Sequence, residues 1–246
     1  MRSNHIAPEE WRLRRELADC YRLFADLGWG EAIFNHITAR VSGPERHFLI
    51  NPYGLMYEEV TPETLVKIDI DGNAVGPSEH PVNPAGFIIH GAIHAAREDA
   101  HCIMHVHTTA GIAVSCKEGG LSQDNFYGAM FHDRVAYHDF EGISVHAGEQ
   151  PRLVRALGDK DVLILRNHGL LVVGADIPST FRWMWSLQRA CEVQCQAQAI
   201  AGADVAVPEE VRRRSTRDAA DFAGGTTARL MFDAMVRRMR ARRPTA

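Results

Sequence analysis

Segments with helical 3.6-residue periodicity alternate with short apolar runs along this sequence, and the alternation predicts an α/β fold. Length and composition point the same way. A chain of 246 residues, 46% hydrophobic and 24% charged, can bury a sizeable core in one large α/β domain or two small ones. Neither an internal repeat nor a low-complexity linker divides it, so we read one domain over residues 1–207. A helical, arginine-rich extension over residues 208–246 follows.

The first helix begins at Pro8. Trp11, Leu13, Leu17, Cys20, Tyr21, Phe24 and Leu27 recur at helical spacing, and Gly28 and Gly30 end it. FNHITARV and HFLINPYG read as short strands joined by a turn at SGPE. In TPETLVKIDIDGNAVG, Thr61 is a candidate cap with Pro62 at the first helical position, before a strand and a DG turn. NPAGFIIHGAIHAARED is the next helix, with Asn83 able to cap it and Pro84 at its start. The strand HCIMHVHT, a helix or loop around TAGIAVSC and the polar stretch LSQDNFYGAMFHDR follow. RVAYHDF is a candidate strand and GEQPRLVRALGD a helix. DVLILRNHGLLVVG reads as a buried strand, a turn at NHG and a second strand. The long helix IPSTFRWMWSLQRACEVQCQAQAI closes the main body. Its stripe of Trp183, Met184, Leu187 and Cys191 is assigned to core packing.

The formal net charge is -4, but VRRRSTR (211–217) and VRRMRARR (236–243) hold much of the arginine. These tracts lack interleaved aromatics and any recognisable binding module, which argues against a nucleic-acid partner. A solvated terminus, or contact with a neighbouring subunit, is the reading adopted. No run of 18 apolar residues is present and MRSNHIAPEEWRLRR is not a signal peptide, so no membrane partner is expected. The five cysteines form no CxxC pair and no secreted-scaffold pattern. They read as reduced, mostly buried side chains of a cytoplasmic protein.

Two histidines in HCIMHVHT carry the first hint of chemistry. Residues i and i+2 of a strand share a face, so His105 and His107 project side by side while Cys102, Met104 and Val106 face a core. Such a pair can serve a hydrogen-bond network or, with a third ligand, grip one metal ion. His168 stands where the apolar run VLILR meets a glycine, at a strand end, where functional groups gather on rigid scaffolds. His105, His107 and His168 therefore make the best three-ligand candidate in the chain. His90 and His94 are a rival pair, four apart on one helical face among small residues. Packing and helix–strand hydrogen bonding account for them, or else support of the ligands from behind.

Together these stretches resemble the class II aldolase/adducin family along nearly all of residues 10–205. The resemblance is carried by GWGEAIFNHITAR, FLINPYGLMYEEVTPETLVKIDIDG, NPAGFIIHGAIHAAREDAHCIMHVHTTAGIAVS, VAYHDFEG and ILRNHGLLVVG. It implies a three-layer α/β/α sandwich around a largely antiparallel sheet, a homotetramer with active sites near subunit boundaries, and a divalent metal on His105, His107 and His168. Zinc is the first expectation, with manganese or iron as alternatives. The adducin branch, similar around NPAGFIIHGAIHAA and VAYHDFEG, has no known aldolase activity. Two departures matter. The Ser-Ser-Glu of the sugar-phosphate aldolases, whose glutamate is an acid/base, is Pro84, Ala85 and Gly86 here. The phosphate-contacting Thr-Pro-Ser/Thr-Gly loop is Asn51, Pro52, Tyr53 and Gly54. Asn35 matches the family's substrate-binding asparagine, and Asn51 and Tyr53 join it as substrate-binding candidates.

A three-histidine metal can chelate a hydroxy- or oxo-carboxylic acid and, as a Lewis acid, stabilise the enolate formed on carbon–carbon cleavage. Decarboxylation survives the loss of the glutamate better than retro-aldol cleavage does, because no base is needed at the departing carboxylate. The expected function is thus a metal-dependent lyase, foremost a decarboxylase, acting on a small non-phosphorylated carboxylic acid that can be aromatic. Proton-transfer candidates are Tyr127, His138 and Glu141, with His138 favoured by an ordinary pKa near neutrality. Two other classes stay open: a non-haem Fe(II) oxygenase on the same triad, and a non-catalytic adducin-like interaction module.

Overall fold

The computed structural model describes residues 6–144, 146–222 and 225–242. Helix α1 spans Pro8–Asp26, with the proline at its start and Glu9 and Glu10 in the first turn, where carboxylates oppose the helix dipole. It ends as the glycine predicts. Gly28 takes φ +72°, its N–H bonds the Ala25 carbonyl at 3.1 Å, and the N–H of Trp29 reaches back to Phe24 at 2.9 Å.

Strands β1 (His36–Arg40) and β2 (Phe48–Ile50) form the expected hairpin, with Thr38 opposite Ile50. The helix expected from Thr61 stops at one turn. Thr61 Oγ1 accepts from the Thr64 N–H at 3.3 Å, but the chain then enters β3 (Val66–Ile68), which pairs with β2. A single turn fixes several dihedrals for one hydrogen bond, so strand pairing wins.

Helix α2 (Pro84–Ala96) leads to β4 (Cys102–Val106), and α3 (Thr109–Ser115) follows, capped by Thr108 through the Gly111 N–H. Then come β5 (Val135–His138), α4 (Gln150–Leu157), β6 (Val162–Leu165) and β7 (Gly169–Gly174). Helix α5 (Ile177–Ala199) is capped by Asp176, whose carboxylate accepts from the Ser179 N–H at 2.7 Å. Helices α6 (Glu209–Phe222) and α7 (Gly225–Arg242) occupy the arginine-rich end, and Arg243 lies outside the described residues.

The seven strands form one sheet in the order β3-β2-β1-β4-β7-β6-β5. Every pairing is antiparallel except β5 with β6. Alternation then builds two apolar layers. Cys102, Met104, Val106, Leu170 and Val172 face one core with α1, α3, α5 and α7, while Ile103, Leu171 and Val173 face another with α2 and α4. The result is a three-layer α/β/α sandwich. Trp183, Met184, Leu187 and Cys191 are buried in the first core, as the helical stripe implies.

Two features near the α1 side frame the site. Tyr21 is fully buried, and its hydroxyl accepts from the N–H groups of Ile37 (2.9 Å) and Asn51 (3.0 Å), while its single hydrogen goes to either the Ile37 carbonyl or Asn51 Oδ1. It ties the start of β1 to the end of β2, and an unpaired buried donor there would cost roughly 1–3 kcal/mol. On the outer side, Phe232, Val236 and Met239 of α7 join the first core. The arginines of α7 pair with α1 acids: Arg229 with Glu16, Arg240 with Asp19, Arg242 with Asp26. Part of the arginine-rich end is thus paired within this chain. These pairs are exposed on the arginine side and stabilise only modestly.

Candidate metal centre

Two loops at one end of the central strands bring three imidazoles together. β4 presents His105, and His107 follows one residue past its end, on the same face. The β6–β7 turn presents His168. Asn167 takes φ +54° there, a left-handed conformation that asparagine tolerates better than most residues, and the His168 N–H closes the turn on the Leu165 carbonyl at 3.1 Å. Gly169 is required by contact: a Cβ on it would lie 2.5 Å from the Val106 carbonyl and 3.1 Å from the His107 ring. That glycine lets the turn approach β4 closely enough for the rings to meet.

His107 Nε2 lies 2.8 Å from His105 Nε2 and 3.0 Å from His168 Nε2. The three residues form the one group of potential ligands found among the described residues. Their protonation makes the case for a cation. A neutral imidazole carries one N–H. The Nδ1–H of His105 donates to the Leu170 carbonyl at 2.9 Å, which leaves only a lone pair on its Nε2. If His107 Nε2 carries a hydrogen, it can be directed at His105 or His168 but not squarely at both. If it carries a lone pair, it faces the lone pair of His105. A metal ion shared by three lone pairs removes the conflict. The carbonyl behind His105 is also the usual device for orienting a metal-bound imidazole.

Burial keeps these rings neutral. His105 is fully buried and its pKa is pushed well below the ordinary value, first by burial and then by the neighbouring histidines. Burial lowers His107 as well. His168 falls to about 4, through burial first and then the nearby His107 and His138. Neutral imidazoles are the form that binds metal.

The triad opens on a pocket of about 570 Å³. Its wall is largely apolar: Phe34, Ile89, Phe140 and Ile143 line it, and Phe34, Phe140 and Ile143 expose much of their surface at its mouth. Glu31, His36, Tyr53 and Ser144 add polar groups, and no lysine or arginine is among the lining residues. Tyr53 is therefore at this wall. Asn35 and Asn51 are not at this wall. Asn35 is buried and donates to the Trp29 carbonyl at 2.8 Å, with its Oδ1 unpaired, and Asn51 is bonded to Tyr21. Both amides hold the ends of β1 and β2.

The proton-transfer candidates are also set apart from the lining. His138 is buried, with Nε2 3.1 Å from Glu149 Oε1 and 3.8 Å from Glu141 Oε1. Arg152 grips Glu141 through Nε at 2.7 Å and holds its carboxyl below the usual range. Tyr127 packs edge-on to Trp185, with Arg189 over its ring at 5.8 Å. Sequence reasoning passed over His36, whose ring centroid is 5.0 Å from that of His105. One signal was available: in HITAR, alternation puts His36 and Thr38 on one face of a buried strand. His90 and His94 are helix–strand hydrogen-bonding residues, and they bond to exactly that face through His36 and Thr38.

Residues 15–195 match the model of the Class II Aldolase and Adducin N-terminal domain. An aldolase II superfamily protein from Pseudomonas syringae is 42% identical, covers 96% of this chain and 95% of its own, and superposes with a TM-score of 0.91. An L-fuculose 1-phosphate aldolase from Glaciozyma antarctica is 28% identical over 98% of this chain and 96% of its own, with a TM-score of 0.84. Alpha-adducin of Rattus norvegicus is 47% identical over 193 residues, 77% of this chain but 26% of adducin. Three converging imidazoles and similarity of this extent support metal-dependent catalysis.

Two measurements check the centre. Elemental analysis is expected to find one divalent ion per chain in the wild type and almost none in His107→Ala; equal, near-zero content in both would remove the site. The second is the pH dependence of stability. His36, His90, His94, His105, His107 and His168 all have lowered pKa values, chiefly through burial. Between 6.5 and the lowered values the unfolded chain binds more protons than the folded one, so stability is full above pH 6.5 and is lost as pH falls toward about 4. The urea midpoint of metal-free protein is expected to be flat above neutrality and to drop below it, each group contributing up to ~1.4 kcal/mol per pH unit. A midpoint that stays level on going to acid contradicts six imidazoles held neutral by the fold.

Proposed function

Because this chain belongs to the class II aldolase and adducin family, we propose that it is a divalent-metal-dependent carbon–carbon lyase, foremost a decarboxylase. Its substrate on this reading is a small, non-phosphorylated hydroxy- or oxo-carboxylic acid. The observation that carries the reading is an intact imidazole triad in a chain that has a glycine, packed against His36, at position 86. A Cβ on Gly86 would sit 3.0 Å from the His36 ring, so the backbone there is packed where an acid/base side chain would otherwise begin. The pocket has room for an aromatic body against Phe34 and Phe140. With Glu31 and no lysine or arginine in its lining, it is poorly suited to a phosphate.

His105, His107 and His168 hold the ion, with zinc the first choice and manganese or iron(II) the alternatives. When bound, it would supply a Lewis acid able to stabilise, through a coordinated substrate oxygen, the enolate-like charge that carbon–carbon cleavage develops. The side chains do the rest. Tyr53 borders the substrate, and the apolar rim excludes water, which strengthens every electrostatic interaction inside. A proton must then reach the carbon. His138 is the internal source we favour, close enough to His168 to affect its charge and held by Glu149, with Glu141 beside it. Tyr127 is the alternative donor. The family resemblance implies a homotetramer: light scattering near four times 27.4 kDa is the expected result, and a stable, fully active monomer would remove it. We place the protein in the cytoplasm, which suits its five free cysteines. No helix among the described residues is long and apolar enough to cross a membrane.

Two other readings have specific support. Three imidazoles suit Fe(II), which favours an oxygenase, and the 47% identity to alpha-adducin favours an interaction module. One screen separates them. Metal-reconstituted protein is offered hydroxylated aromatic, 2-hydroxy and 2-oxo acids, and carbon dioxide release and oxygen uptake are recorded together. Carbon dioxide without oxygen uptake is expected. Obligatory oxygen uptake moves the assignment to the oxygenase, and silence with metal bound moves it to the interaction module. L-Fuculose 1-phosphate is expected to be a poor substrate, and its cleavage with ordinary efficiency would overturn the non-phosphorylated assignment.

A further inference from the structure

Four buried side chains form a single hydrogen-bonded line that ends at the metal pocket. His94 Nδ1 lies 2.9 Å from the Ala100 carbonyl, and His94 Nε2 lies 2.7 Å from Thr38 Oγ1. Thr38 Oγ1 is 2.8 Å from His90 Nδ1, and His90 Nε2 is 3.0 Å from His36 Nδ1. None of the four is more than 2% exposed.

The far end fixes the direction of the whole line. A carbonyl only accepts, so His94 Nδ1 carries the hydrogen and His94 Nε2 a lone pair. The single hydroxyl hydrogen of Thr38 must then point at His94. Thr38 can only accept from the other side, so His90 carries its hydrogen on Nδ1 and a lone pair on Nε2. His36 therefore donates from Nδ1, and its Nε2 is left with a lone pair. Each assignment requires neutral rings. Burial lowers His94 to about 3 and His90 well below its ordinary value, and no carboxylate is among the groups acting on either.

At the near end, His36 lines the pocket beside His105. Among the described residues, no group bonds its Nε2. The backbone of Gly86 in α2 packs against one side of the ring, where any side chain would begin 3.0–3.1 Å from His36 Cγ and Cδ2. The pocket thus receives an acceptor whose tautomer is set by a carbonyl three residues away along the line.

We propose that His36 is a specificity-determining residue whose Nε2 accepts a hydrogen bond from a substrate hydroxyl next to the carboxylate, so that the site prefers 2-hydroxy acids to 2-oxo acids. A 2-oxo group offers only lone pairs and meets the lone pair of His36. The inference rests on the reading of this pocket as a metal-dependent carboxylic-acid site.

Mandelate and phenylglyoxylate are a matched hydroxy/oxo pair of a size for this pocket. Calorimetric titration of metal-loaded wild type is expected to give mandelate ~10-fold the affinity of phenylglyoxylate, the worth of about one hydrogen bond. His36→Phe, which keeps a ring but no acceptor, is expected to erase the difference, and Thr38→Val to reduce it by freeing the tautomer. Nitrogen-15 NMR of metal-free wild type supplies a readout independent of any probe: hydrogens on Nδ1 and bare Nε2 at His36, His90 and His94. Equal affinity for the two probes in wild type, a preference that survives His36→Phe, or a hydrogen on His36 Nε2 overturns the inference. Failure of the parent reading looks different: elemental analysis finds no metal in the protein before a probe is added.

Discussion

The site depends on β4 being held on both edges. β4 pairs with β1 on one side and β7 on the other, with His105 opposite His36 and opposite Leu171. Both pairings are antiparallel, and the apolar set Cys102, Met104 and Val106 is locked into the core below. Because side chains alternate with a period of two, burying that set puts His105 on the other face, on the side where His107 also projects. A slip of one residue would drive the imidazoles into the aliphatic core and lift Met104 out of it. The core therefore sets the face on which His105 and His107 stand, and the Leu170 carbonyl orients the His105 ring.

The same arrangement explains why so much histidine can be buried. A buried polar group without a partner is costly, and an uncompensated buried charge more so. This protein satisfies the requirement with backbone carbonyls as terminal acceptors: Leu170 for His105 and Ala100 for His94. Thr38 links His90 to His94, and Tyr21 closes the ends of β1 and β2 on the α1 side. The rings stay neutral because burial lowers their pKa values, and a neutral ring presents one lone pair in a fixed direction. Burial and hydrogen bonding together convert histidine from a titrating group into a directional one.

Elsewhere the charges serve assembly of the fold. The arginines of α7 face Glu16, Asp19 and Asp26 of α1, far along the sequence, and apolar residues of α7 fill the groove between α1 and α5. The pocket itself keeps arginine and lysine out of its lining. Positive charge is thus concentrated on the outer layer, and at the triad a bound cation would be the main source of it.

Local periodicity was enough to determine the strands around the triad, the core stripe of α5, the Gly28 stop of α1 and the same-face geometry of His105 and His107. These are properties of spacing and residue type, which act within a few residues along the chain. Which separate elements meet was decided only in three dimensions. His168 reaches the pair because Gly169 lets a turn touch β4, and His36 reaches the pocket because β1 happens to be β4's neighbour in the sheet order. The helix expected at Thr61 gave way to pairing with β2, and Asn35 and Asn51 turned to the frame because Trp29 and Tyr21 lie within bonding distance. Periodicity fixes the face on which a side chain stands, whereas its partner depends on long-range packing that no short stretch of sequence encodes.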